Sequence, residues 1–152
     1  MRTYLVVVDE SDEARLAQRF AARRAQKTGG NVHLVTVTEP SAFVAWGGVQ
    51  ATIEEEVRQK AEAVASAAAG ALSEAYGIMP RVSVRQGDAA TIVREILQED
   101  SEIAALVLGA AASGAPGPLV THFAGYDAGT LPVTVMIVPG SLSEAEVDRL
   151  SE

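Results

Sequence analysis

Short apolar runs alternate along this chain with stretches whose apolar residues recur at helical spacing. Tyr4 to Val8 (YLVVV) shows no polar alternation, which predicts a central strand buried on both faces, closed by Asp9. Ser11 can cap a following helix whose first turn carries Asp12 and Glu13. Leu16, Phe20 and the nearby alanines form its apolar face. Arg15, Arg19, Arg23, Arg24 and Lys27 lie mostly elsewhere, and Gly29-Gly30 ends it. Asn31 to Val37 (NVHLVTV) reads as a second strand. Thr52-x-x-Glu55 has the capping-box pattern and opens a long alanine-rich helix to about Tyr76, stopped by Gly77, with Glu54, Glu55 and Glu56 as its solvated first turn.

Met79 to Arg85 alternates as a third strand. Gly87-Asp88 is a turn and N-cap, after which Ile92, Val93, Ile96 and Leu97 set one apolar stripe on a helix. Ala104 to Leu108 is a fourth buried strand that breaks at Gly109 into Ser113, Gly114, Pro116 and Gly117. Leu119 to Ala128 predicts a short helix weakened by Gly125. Val133 to Val138 is a fifth strand between Pro132 and Pro139, and Ser143-x-x-Glu146 marks one or two helical turns at the tail. Strands alternating with helices predict an α/β fold with a parallel sheet and right-handed crossovers, in one domain over residues 1–152. In such a sheet ligands sit beyond the carboxyl ends of the strands, so the turn after Gly109 is where a site is expected.

Composition narrows the function. The net charge is −8, from 20 acidic and 12 basic residues, which disfavours nonspecific binding to nucleic acid or anionic membrane. There are 0 cysteines, so disulfides and thiolate metal sites are excluded. No signal-peptide pattern opens the chain and the glycine- and proline-broken apolar stretch is a poor membrane span, so a cytoplasmic protein is expected. His33 and His122 are the only histidines, 2 in all, and neither sits at ligand spacing with other donors. No metal site is expected, with His33 on a strand face and His122 on an exposed turn. Ser113 and Thr121 have no base placed beside them and Gly-x-Ser-x-Gly is absent, so nucleophilic catalysis is not expected. Phe43 and Trp46 occupy a loop after the second strand, where they either pack on the domain, cover the crevice or touch a partner.

The order and spacing of these signals resemble the universal stress protein family over nearly the whole chain. Val6-Val7-Val8-Asp9-Glu10-Ser11 resembles its opening, Gly87-Asp88 its third-strand junction, Ala105-Leu106-Val107-Leu108-Gly109 its fourth strand, and Leu131-Pro132-Val133-Thr134-Val135 its fifth. The resemblance implies a five-stranded, Rossmann-like sheet in strand order 3-2-1-4-5, with helices flanking it. It also implies a homodimer paired through the strand Val133–Val138. Unpaired backbone and apolar side chains at such an edge favour a second copy; the alternative is a terminal strand covered by the tail helix. No pattern identifies another protein partner.

Many members of the family bind ATP between the first and fourth strands, using the first-strand acid, backbone after the second strand, and a glycine loop ending in Gly-Ser or Gly-Thr. Here Gly109, Gly114 and Gly117 stand at other spacings, and the position expected for Gly-Ser falls near Leu119-Val120. Pro116 and Pro118 have no backbone N–H to offer a phosphate, and no basic residue lies between Gly109 and Pro139. The expectation is therefore a non-enzymatic regulatory module with a degenerate loop and no cofactor. The alternative is an ATP- or AMP-binding sensor or slow ATPase in which Asp9, Val37, Gly109, Ser113 and Gly114 contact the nucleotide, with Thr121 as a further hydroxyl. Asp9 serves equally as a cap for the following turn. A third reading, an electron-transfer-flavoprotein-like domain without its partner segment, is disfavoured by the complete set of strands.

Overall fold

The computed structural model describes residues 1–40 and 48–152; Phe43 and Trp46 lie outside them. The described elements run β1 (Thr3–Val7), α1 (Asp12–Thr28), β2 (Asn31–Thr38), α2 (Gly48–Tyr76), β3 (Arg81–Gln86), α3 (Ala89–Glu99), β4 (Ile103–Ala110), α4 (Pro118–Thr121) leading into a π-helical turn (His122–Tyr126), β5 (Thr134–Pro139) and α5 (Glu144–Leu150). The strands form one parallel sheet in the order β3-β2-β1-β4-β5, as the resemblance implied.

The lack of polar alternation in the central strands has a direct cause: both faces are covered. Tyr4, Val6, Val32, Leu34, Ala105 and Val107 point to one core, closed by Ala17, Ala21, Ala22 and Ala25 of α1, Leu72 of α2 and Val147 of α5. Leu5, Val35, Leu106 and Leu108 point to the other, closed by Ile92, Val93, Ile96 and Leu97 of α3 and by Val120 and Phe123. Alternate residues of one strand thus serve two cores.

The helix ends follow the local chemistry. Ser11 caps α1 by accepting from the Ala14 N–H, and Gly29 closes it in the left-handed region at φ 67°. Asp88 caps α3 through Thr91. Ser143 and Glu146 form a reciprocal capping box on α5.

Several boundaries differ from expectation. α2 begins at Gly48, so Thr52 and the Glu54–Glu56 triplet lie inside the helix and not in its first turn. Gln50 and Ala51 are competent helix formers, so nothing stops the helix from extending towards its N-terminus past the capping-box pattern. β3 begins at Arg81, not Met79, because Pro80 has no N–H for the ladder; Met79 is left exposed. β1 and β5 shift by one residue from the runs expected from Tyr4 and Val133. The helix expected over Leu119 to Ala128 is a single α turn and then a π turn, in which the Asp127 N–H bonds the His122 carbonyl at 3.1 Å. Phe123, wholly buried, anchors that turn to the second core.

The tail is held by charge as well as by Val147. Arg19 of α1 grips Asp148 with two N–H donors, at 2.6 and 2.8 Å, and reaches Glu144 at 3.3 Å. Arg23 donates to the Ser151 hydroxyl at 2.8 Å, and Arg24 to the Glu152 carbonyl at 3.0 Å. Arg19, Arg23 and Arg24 of α1 therefore act structurally, docking the tail alongside the helix.

Candidate functional site at the strand ends

The carboxyl ends of β1 and β4 are adjacent, and the crevice expected at this place exists. After β1 the Val8 N–H still bonds the Val35 carbonyl at 2.8 Å, and the chain then turns at Asp9. One Asp9 carboxylate oxygen accepts from the Ser11 N–H at 2.8 Å and from the Ser11 hydroxyl. Asp9 thus fills the capping role, while its exposed side chain also borders the crevice.

On the other side β4 runs out at Ala110. Gly109 has no room for a side chain, because a Cβ there would overlap the Glu13 carbonyl of α1. The glycine lets the first turn of α1 lie directly on β4, whatever else the site does. The loop then closes on itself: Ala111 N–H bonds the Pro116 carbonyl at 3.0 Å, and Gly140 N–H bonds the Ala110 carbonyl at 2.7 Å. Gly114 and Gly117 adopt φ 73° and 121°, so these two glycines are required by the turn itself.

The crevice has a volume of about 160 Å³. Pockets that enclose drug-sized ligands run from about 300 Å³ upward. Asp9, Ser11 and Glu13 line one wall; Gly109, Pro116, Pro118, Leu119 and Val120 line the other, over Val7 and Leu108. Among the described residues no lysine or arginine lines it, so two carboxylates would face an incoming phosphate unopposed. The nearest candidate on α1, Arg15, is engaged with Asp12 at 2.9 Å and the Glu10 carbonyl at 3.0 Å. The N–H groups of Ala111 and Thr121 are spent on the loop itself, and Pro116 and Pro118 have none to give.

Of the residues named from sequence, the structure brings Asp9 and Gly109 together in this crevice. Val37 does not line it; it packs, half buried, against the second core. Ser113 and Gly114 sit at the exposed loop tip outside the crevice, and Thr121 is exposed beyond it. Glu13, Pro118 and Leu119 complete the lining. Pro118 and Leu119 had a sequence signal, the one as a residue without an N–H and the other as the position where Gly-Ser was expected; Glu13 is placed by the turn that Asp9 and Ser11 build.

The histidines have other partners. His33 is buried on the β2 face, where Nε2 meets the Ser83 hydroxyl at 2.7 Å and Nδ1 has no hydrogen-bond partner among the described residues. Burial, reinforced by Arg81 and Arg85, lowers its pKa below the usual imidazole value. His122 is not on an exposed turn: it opens the π turn, half buried, with Nε2 2.8 Å from an Asp127 oxygen that Arg94 also contacts at 2.9 Å. His122 and Asp127 share the π turn, and folding brings Arg94 to them from α3, 33 residues away from Asp127, which no local spacing reveals. No group of acidic or histidine side chains that would hold a metal occurs among the described residues, and no described helix is long and apolar enough to cross a membrane.

The fold is shared with solved proteins. A universal stress protein family protein from Burkholderia pseudomallei superposes with a TM-score of 0.69 at 18% identity, over 90% of this chain and 95% of that one. UspA of Lactobacillus plantarum gives a TM-score of 0.64 at 20% identity, over 90% and 97%. The Archaeoglobus fulgidus universal stress protein solved in complex with dAMP gives 0.64 at 17% identity, over 90% and 97%. No curated protein sequence matches the chain. At these identities the structures speak for the fold alone. The sequence profile of the Universal stress protein family, however, matches residues 1–139, which takes in β1 to β5 and both walls of the crevice. With sequence profile, strand order and crevice in agreement, this chain belongs to the universal stress protein family.

Proposed function

We propose that the protein is a non-enzymatic, cytoplasmic, homodimeric regulatory module of the stress response whose strand-end crevice holds no polyphosphate. The observation that carries this reading is the crevice of about 160 Å³, walled by Asp9 and Glu13 and by two prolines, with no described cation. A triphosphate brings about four negative charges, and a site of this kind must supply donors and countercharge to hold them. Calorimetric titration of nucleotide-free protein with ATP tests it directly. Heats equal to dilution are expected; micromolar affinity lost in Asp9→Ala would overturn the reading.

The dimer is supported by the open edge of β5. That strand pairs with β4 alone among the described strands, and Ile137 on it is 40% exposed. The tail helix docks on α1 through Arg19 and Arg23, which leaves the free edge of β5 available to a second copy. Light scattering of the wild type should give twice the chain mass, and Ile137→Lys should halve it. A wild-type monomer at high concentration would refute the pairing.

A second reading is favoured by the shared lining of Asp9 and Gly109. Family structures in complex with dAMP and with cAMP show that one phosphate is enough for other members. On that reading this chain is an AMP- or ATP-binding sensor, or a slow ATPase, with a reshaped loop. Mass spectrometry of small molecules released from freshly purified protein separates the two: co-purified AMP supports the second reading, whereas protein without adenine nucleotide supports the first.

A further inference from the structure

α1 turns an alanine stripe to the sheet: Ala14, Ala17, Ala21, Ala22 and Ala25 are all buried. One polar residue breaks that stripe. Gln18 is 7% exposed and has no hydrogen-bond partner among the described residues. A carboxamide carries two donor hydrogens and an acceptor oxygen, and with no protein partner these are open to water or to an occupant of the groove beside it.

Gln18 lines a groove of about 400 Å³ between α1 and α2, distinct from the strand-end crevice. That volume lies within the range of about 300–1,000 Å³ typical of small-molecule sites. The walls are apolar: Leu16 from α1, and Val64 and Leu72 from α2. The space exists because α2 presents alanine at 68, 71 and 75, where longer side chains would fill it.

The rim determines the charge of an occupant. Arg15 is engaged with Asp12 and the Glu10 carbonyl, and Arg19 with Asp148 and Glu144. Asp9, at the mouth, accepts from Ser11. The cations are thus already neutralised by the protein's own acids, and an anion would meet carboxylates at the entrance. A lone cation would gain from those acids but would leave the deep apolar walls and the Gln18 amide unsatisfied.

We propose that this groove binds a small neutral molecule with an apolar body and one amide-like edge that both donates and accepts, seated against Gln18. The site is separate from the nucleotide question, and its test does not depend on the answer. Benzamide is a suitable probe, with benzoate as the anionic control. Amide-resolved NMR of labelled protein should show saturable shifts of the Gln18 side-chain amide and of residues 16–19 and 68–76. Benzoate should bind at least about tenfold more weakly, the equivalent of one lost neutral hydrogen bond. Gln18→Leu, which keeps the volume and removes the unpaired group, should weaken benzamide by a similar factor while leaving the spectrum folded. Ala71→Phe, at an exposed position on the wall, should abolish the shifts by filling the space. Shifts absent up to the solubility limit, shifts centred on Gly109 and Leu119, equal binding of benzoate, or undiminished binding by Gln18→Leu would each overturn the proposal.

Discussion

Gly109→Ala separates a structural glycine from a phosphate-binding one. A Cβ at this position would overlap the Glu13 carbonyl, and backbone cannot rotate away as a side chain can. The first turn of α1 would have to lift from β4, loosening the contact that buries Ala14 and Ala17. Overpacking of this kind costs about 1–3 kcal/mol. Alanine also restricts the unfolded chain, which returns about 0.4–1 kcal/mol. The net destabilisation therefore lies between about 0 and 2.6 kcal/mol, with a central value of about 1.3 kcal/mol. With a urea slope of about 1–3 kcal/mol per molar, the central value lowers the midpoint by roughly 0.4–1.3 M. Gly129→Ala is the control: nothing lies within 4 Å of the added carbon, and its φ is not in the left-handed region. It should gain about 0.4–1 kcal/mol over wild type, from the restricted unfolded chain alone. The measurement needs no nucleotide. If Gly109→Ala unfolds at the same urea concentration as Gly129→Ala, the close approach of α1 to β4 is not what this glycine is for.

Three further outcomes rest on other parts of the fold. Phe123→Ala removes the wholly buried anchor of the π turn and should cost about 3–5 kcal/mol, seen as a large drop in the thermal midpoint. His33 is neutral in the fold because burial opposes its charge, so its folded pKa lies below that of the unfolded chain. Protons then bind the unfolded state preferentially, and stability should fall as pH drops below about 6.5 and recover as it rises; His33→Leu should remove that part of the slope between pH 7.5 and 5.5 in urea titrations, and an unchanged slope would refute it. The grip of Arg19 holds the Asp148 carboxyl below its ordinary pKa, so the tail clamp is present above the unfolded carboxylate value and is lost as pH falls through the lowered one. Arg19→Ala should therefore speed amide exchange in α5 at neutral pH while leaving β1 and β4 protected, and acid should do the same to the wild type.

The capping positions were legible because they are local. Ser11, Asp88 and Ser143 each bond an N–H three residues on, so the spacing alone reveals them. The central strands were legible because burial on both faces leaves no polar positions in YLVVV or in Ala104 to Leu108. The start of α2 was misread for the opposite reason: a capping-box pattern is a preference, and neighbouring residues of good helix propensity overrode it.

From sequence alone, then, came the order of strands and helices and the departure of the loop after Gly109 from the family's glycine spacing, since glycines, cations and prolines at known positions are facts of composition. Tertiary structure decided what each residue serves. It set Asp9 to cap a turn, pressed Gly109 against Glu13, packed Val37 half buried against the second core and away from the crevice, and turned Arg19, Arg23 and Arg24 of α1 to the tail. The physical reason is distance along the chain. Periodicity and capping act over a few residues, whereas a groove wall, an ion cluster or a close backbone approach joins segments separated by many residues, and packing alone fixes which of them meet.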